Sequence, residues 1–232
     1  IMPSLVGSEM CIRDRDMALP PEAIDTRVTG VGQFCQRYGF KDKPLRVRFR
    51  LLDASICEGL LPADAERDIT LTQADFARLK LPVRRVFFTE NEVNFLAFPP
   101  VIGSLVIFGA GYGFEVLAEA HWLHGCRLFY WGDIDTHGFA ILDQLRVRLP
   151  QVQSLLMDRD TLMAHQALWG EEPQPLQREL PRLNPHEVAL FDDLREHRLR
   201  AQLEGVGVRL EQERVGFEWV TAALAGIERD AI

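Results

Sequence analysis

Cysteine is sparse in this 232-residue chain: Cys11, Cys35, Cys57 and Cys126 stand singly, with no C-x-x-C pair. That leaves no basis for a zinc ribbon or a dithiol redox couple, and it fits a reducing cytoplasm. Tyrosine is scarcer still, at Tyr38, Tyr112 and Tyr130 only. No apolar run, Val101 to Phe108 included, nears the roughly 20 residues of a membrane helix, so no membrane partner is expected. Internal repeats and low-complexity tracts are absent. Positive charge is short as well, with 26 Lys and Arg against 34 Asp and Glu and a formal net charge of −8. Phosphate affinity is carried mainly by Lys and Arg, so this balance weighs against a generic nucleic-acid binder. A divalent cation held by acidic residues reverses that field locally.

What is present suits one main domain with an appended segment: 47% of the residues are hydrophobic, enough for a full core at this length. Residues 1–15, IMPSLVGSEMCIRDR, lack the basic start, apolar run and cleavage site of a signal peptide. They resemble translated sequencing-adapter sequence and are set apart from the fold. Residues 16–80 are expected to form an amino-terminal segment, a strand and a short helix linked to a domain lying upstream, and 81–232 the main domain with a helical tail.

Leu45 to Leu52 alternates, with Val47, Phe49 and Leu51 on one face and Arg46, Arg48 and Arg50 on the other, as a half-buried strand does. Its arginines suit a solvated edge or a face that contacts DNA phosphates. Thr72 and Asp75 open a short helix that Pro82 closes. A regular alternation follows: strand Val83–Phe88, helix Asn91–Phe98, strand Ser104–Phe108, helix Phe114–His124, strand Arg127–Trp131, helix Thr136–Leu149, strand Val152–Met157 and a helix reaching Trp169. This order predicts an α/β fold, a Rossmann-type parallel sheet flanked by helices. Gly170–Pro181 reads as a surface loop. Asn184, Pro185 and Glu187 start a helix predicted to reach Leu203, and the chain ends in a second helical stretch.

The acids concentrate where strand Arg127–Trp131 ends, in Gly132-Asp133-Ile134-Asp135-Thr136-His137-Gly138. Residues i and i+2 share a strand face, so Asp133 and Asp135 point together at the carboxyl end of a parallel strand, where open α/β sheets bind ligands. Two such carboxylates repel unless a cation lies between them. An all-oxygen set favours Mg²⁺, with Mn²⁺ able to substitute, over zinc. Glu90, at the end of the earlier strand, completes the set if the two strands are near neighbours, with Glu92 as the fallback. The plainer alternative is that Asp-x-Asp only caps the following helix. Against it, Thr136 can serve as the cap, and Gly132 and Gly138 leave room for a substrate backbone. His137 suits either packing at the helix start or proton transfer.

Gly109-Ala110-Gly111-Tyr112-Gly113-Phe114 lies between a strand and a helix, as a phosphate-cradling loop does. A dinucleotide site is disfavoured because its third glycine is replaced by Phe114. A phosphatase of the haloacid dehalogenase type also carries D-x-D after a strand, but wants Thr or Val where His137 stands.

Thr89-Glu90-Asn91, Gly109-Ala110-Gly111-Tyr112 and Tyr130 through Gly138, with Arg48 to Asp53, Ser154 to Asp158 and Leu210 to Arg214, resemble the Toprim-like carboxy-terminal domain of the Wadjet JetD family, over roughly Leu45 to Leu224. The resemblance implies a homodimeric, Mg²⁺-dependent endonuclease that cuts double-stranded plasmid DNA with a condensin-like SMC complex. It implies that Glu90, Asp133 and Asp135 hold the metal, with His137 an auxiliary. Glu211 and Glu213 share a spacing that either brings them to the site, with Glu211 a further ligand, or leaves them as surface charges on a helical tail. Gly109, Gly111 and Tyr112 of the glycine loop and Arg46, Arg48 and Arg50 of the strand face are the candidate DNA contacts. Related enzymes attack with a tyrosine on a separate domain. Here Tyr112 and Tyr130 lie inside the Toprim-like part and Tyr38 lies outside any motif, so hydrolysis by water is expected. The non-enzymatic alternative is a silent scaffold that binds DNA or the SMC partner.

Overall fold

The computed structural model describes residues 9–42, 44–58, 62, 66–109, 117, 119–199 and 207–229. The chain divides after Leu45 into two compact units. In the first, helices α1 (Glu9–Ala18) and α2 (Phe34–Arg37) are tied by Arg37, which pairs with Asp16 at 2.7 Å and donates to the Val28 carbonyl. α1 takes in part of the stretch set apart in the sequence reading.

The second unit is built on a six-stranded sheet, β1 (Arg46–Leu51), β2 (Asp68–Thr72), β3 (Arg85–Thr89), β4 (Ser104–Phe108), β5 (Arg127–Trp131) and β6 (Gln153–Ser154), in the order β2-β1-β4-β3-β5-β6. β4, β3, β5 and β6 run parallel, as the alternation predicts, and β1 is antiparallel to both its neighbours. Residues 46–80, expected as part of a separate segment, therefore supply two strands of the main sheet. β1 is not an edge: β2 covers one side and β4 the other. The central strands β3 and β4 are nearly continuous apolar runs, as strands buried on both faces must be.

Short helices α3 (Gln73–Ala77) and α4 (Glu92–Ala97) cover opposite faces. Phe76 of α3 packs edge-on against Phe49, while Phe95 of α4 and the following Phe98 pack on Phe108, Phe87 and Trp131. Arg48 and Arg50 project toward α4 rather than into solvent. Arg48 binds Asp68 and Glu92 and lies over Phe95, and Arg50 donates to the Phe95 and Leu96 carbonyls at 2.6 Å, closing the carboxyl end of that helix. Arg46 is exposed.

Helices α5 (Thr136–Arg148), α6 (Arg159–Ala164), α7 (Pro185–Arg195) and α8 (Phe217–Arg229) complete the unit. The Asn184 capping box forms with Glu187, but α7 stops at Arg195 instead of Leu203. The predicted strand Val152–Met157 shrinks to the two residues of β6. Residues 114–116 and 118 of the predicted helix Phe114–His124 lie outside the described residues, and its end, His121–Gly125, is a 3₁₀ turn rather than an α-helix. The loop predicted from Gly170 to Pro181 starts with a strand, β7 (Gly170–Glu172), paired antiparallel with β8 (Gly207–Arg209) in what was expected to be helical tail. Among the described residues no helix is long and apolar enough to cross a membrane.

Candidate active site

β3 and β5 are adjacent and parallel with Thr89 level with Trp131, so Glu90 and Asp133 emerge at the same carboxyl rim. Beyond β5 the chain stays extended. Ile134 is buried and exchanges two main-chain hydrogen bonds with Leu210, at 2.9 and 3.1 Å, in an antiparallel bridge. With Ile134 in the core, Asp133 and Asp135 face the other way, as the i, i+2 spacing predicts. Glu90, Asp133, Asp135 and His137 line one cleft of about 420 Å³, together with Arg209 and Gln212. Glu92 turns away to Arg48.

Each acid is firmly held. Asp135 is the N-cap of α5, accepting from Gly138 N–H at 2.7 Å. This corrects the expectation that Thr136 serves as the cap: the Thr136 hydroxyl and N–H both donate to the buried carboxylate of Glu172 on β7, and that hydroxyl accepts from Leu176 N–H at 2.7 Å. The Asp133 carboxylate accepts from Gln212 N–H at 2.9 Å and from Arg209 Nη2. Glu90 accepts from the hydroxyl of Tyr130, a fully buried residue.

The two flanking glycines serve the protein itself rather than a substrate backbone. A Cβ on Gly132 would lie 2.3 Å from the Tyr130 hydroxyl, and one on Gly138 2.2 Å from the Asp133 carbonyl oxygen.

Electrostatically the cleft is short of positive charge. Burial raises Glu90 above the usual carboxylate range, and Asp133 and Asp135 add to the effect against the Tyr130 hydrogen bond. Burial, with Glu172 and Asp133 nearby, raises Asp135 to about 6 although Gly138 and Arg209 oppose the shift. The cation present is Arg209: besides its bond to Asp133, its Nε lies 3.1 Å from Asp135 Oδ2, out of line for a hydrogen bond. Among the described residues no three His, Cys, Asp or Glu side chains are drawn together as a metal-binding group in this arrangement. The donors of the three acids are nevertheless of the hard-oxygen type that divalent Mg²⁺ takes.

His137 stands at the cleft mouth, largely exposed, with Nε2 3.2 Å from the Gln174 carbonyl oxygen. Glu211 lies on the extended segment after β8, not on a helix, and pairs with Arg214 at 3.0 Å. Gly109 donates to the Thr89 carbonyl beside Glu90 at 2.9 Å, whereas Gly111 and Tyr112 lie outside the described residues.

Sequence reasoning missed Arg209, Gln212 and Glu172. Gln212 is 1% exposed, and its side chain binds Thr89, Asn91 and the Trp131 carbonyl, tying together the two strand ends that carry Glu90 and Asp133. A usable signal existed for Arg209: Val208 and Leu210 alternate with Arg209 and Glu211, a strand pattern.

The family described as Wadjet protein JetD, C-terminal, matches residues 39–224. No curated protein matches the chain.

Proposed function

Because the chain belongs to the Wadjet protein JetD C-terminal family, and so to a Wadjet anti-plasmid system, we propose that its acidic cleft is the active centre of a Toprim-type, metal-dependent DNA endonuclease. The observation that carries this reading is the placement of Glu90 and Asp133 at the ends of adjacent parallel strands, with Asp135 beside them in the same cleft. In open α/β sheets that rim is where ligands bind. The three carboxylates that line this one cleft are hard oxygen donors, which suit a divalent ion, Mg²⁺ or Mn²⁺, held by Glu90, Asp133 and Asp135. Bound there, the ion supplies charge stabilisation to the scissile phosphate and acidifies an attacking water.

The chain's own groups have separate tasks in this reading. Asp133 and Asp135 are fixed by main-chain donors, so they present their remaining oxygens without reorganising. Glu90, half-buried at the cleft and with a raised pKa, accepts a proton from the attacking water. Tyr130 is enclosed and engaged with Glu90, which favours hydrolysis by water over a tyrosyl–DNA intermediate. Plasmid DNA is the substrate, the condensin-like SMC complex the partner, and the acting form a homodimer in the cytoplasm.

A second reading is a scaffold that binds DNA or the SMC partner without cutting. One observation favours it: Arg209 already pairs with both aspartates. A cleavage assay on closed-circular plasmid with the reconstituted system separates the two. Linearisation that needs Mg²⁺ and is lost in Asp133→Asn and Glu90→Gln supports the nuclease, and cutting that survives both substitutions assigns it to another subunit.

A further inference from the structure

We propose that Arg209 is a displaceable counter-ion: it holds Asp133 and Asp135 while the cleft lacks a divalent cation, releases them when one enters, and then binds the DNA phosphate. This rests on the metal-dependent reading above and names how the same site meets its substrate.

The bridge between Ile134 and Leu210 sets the geometry. Pairing these residues antiparallel sets Asp133-Ile134-Asp135 against Arg209-Leu210-Glu211, with both central residues buried and both outer pairs facing the cleft side. Arg209 is thereby opposite Asp135 and diagonal to Asp133, and it pairs with both. A guanidinium is charged at every working pH, so it sets one permanent positive charge against the two carboxylates while it stays there.

The hold is incomplete in a way that permits release. The Nε of Arg209 is buried without a hydrogen-bond partner even though Asp135 is close, whereas the side chain as a whole is 38% exposed. It stands at the end of a three-residue strand on the cleft wall. Asp133 and Asp135 also have main-chain donors independent of the Arg209 side chain, Gln212 N–H and Gly138 N–H. Moving Arg209 therefore frees the carboxylates without dismantling the rim.

A divalent ion and a guanidinium cannot share the same carboxylate oxygens at contact distance without strong repulsion. Once displaced, Arg209 has among the described residues Glu211 within reach at 3.8 Å, which already pairs with Arg214 at 3.0 Å. The anion the displaced fork suits is a phosphodiester oxygen at the cleft mouth, which guanidinium binds through paired N–H donors.

The test is EPR titration of Mn²⁺ into the full chain as wild type, Arg209→Gln and Arg209→Lys, with near-ultraviolet circular dichroism to verify folding. Removing the competing charge is expected to tighten Mn²⁺ binding about tenfold in Arg209→Gln, with Arg209→Lys between. The rise in melting temperature on adding Mn²⁺ is expected to be larger in Arg209→Gln than in wild type. Duplex oligonucleotide binding, read by anisotropy, is expected to fall in Arg209→Gln with Ca²⁺ present and to stay unchanged with chelator. Unchanged or weaker Mn²⁺ binding in a folded Arg209→Gln overturns the inference while leaving the nuclease reading intact. Mn²⁺ binding in that variant but not in wild type also overturns it, because the ion then does not displace Arg209. If neither binds, the metal-dependent reading fails and this inference falls with it.

Discussion

The hydroxyl of Tyr130 donates to Oε1 of Glu90, 40 residues earlier in the chain, and it passes directly beneath Gly132 to do so. One contact thus fixes a half-buried carboxylate and dictates a glycine beside another, since the chain leaving the strand that carries Tyr130 runs on to Asp133.

Gly132→Ala is expected to destabilise the protein by about 2 kcal/mol, because inserting a methyl group into a filled site forces its neighbours to move. Tyr130→Phe removes the hydroxyl oxygen at 2.3 Å but leaves ring carbons 2.7 and 3.0 Å from the new Cβ. The double variant is therefore expected to be less destabilised than the sum of the singles. Urea denaturation of the four proteins measures the coupling, and strict additivity would contradict the contact.

Asp135 gives a pH signature. Burial pushes its folded pKa up to about 6 from the ordinary 3.8, so between these values the folded state holds more protons than the unfolded state. Stability from this group therefore falls as pH rises through the window. Asp135→Asn keeps a capping side chain and removes the titration. In chelator, its stability relative to wild type is expected to grow by roughly 3 kcal/mol from about pH 3.5 to about pH 7. A flat difference would contradict the raised pKa.

Glu172→Ala leaves the N–H and hydroxyl of Thr136 without their buried acceptor. A loss of about 2–3 kcal/mol is expected by chemical denaturation. Amide exchange is expected to rise most at the first turn of α5, and uniform exchange across the unit would contradict this role.

Arg146 and Glu187 provide a control remote from the acids. They form a buried pair, with side chains 9% and 3% exposed, and Glu187 also accepts from Asn184 N–H at 2.8 Å. Glu187→Gln is expected to cost about 3–5 kcal/mol, as breaking a buried pair does, while leaving Mn²⁺ affinity unchanged. A changed affinity would show that the cleft is coupled to α7.

The order of strands and the meeting of Glu90 with Asp133 and Asp135 were legible because apolar runs end abruptly in acids, and because period-two spacing survives beyond β5. The cap was not: Asp135 and Thr136 are both good capping types, and the choice is made by Glu172, 36 residues later. β7 and β8 are three residues each, too short for a clear period, and the charged tail read as helix, which hid Arg209 and Gln212. β2 escaped because Ile69 and Leu71 are only partly buried, so its pattern is weak. The arginines of β1 looked solvated because nothing local shows that α4 returns over them.

The most direct test of the account is titration of Mn²⁺ into wild type and an Asp133→Asn, Asp135→Asn double variant, with binding read by EPR or calorimetry. It needs neither DNA nor a partner complex. The account predicts saturable binding by wild type that the double variant loses while remaining folded. Equal binding by both, or binding by neither, would contradict a metal-dependent cleft at the ends of β3 and β5.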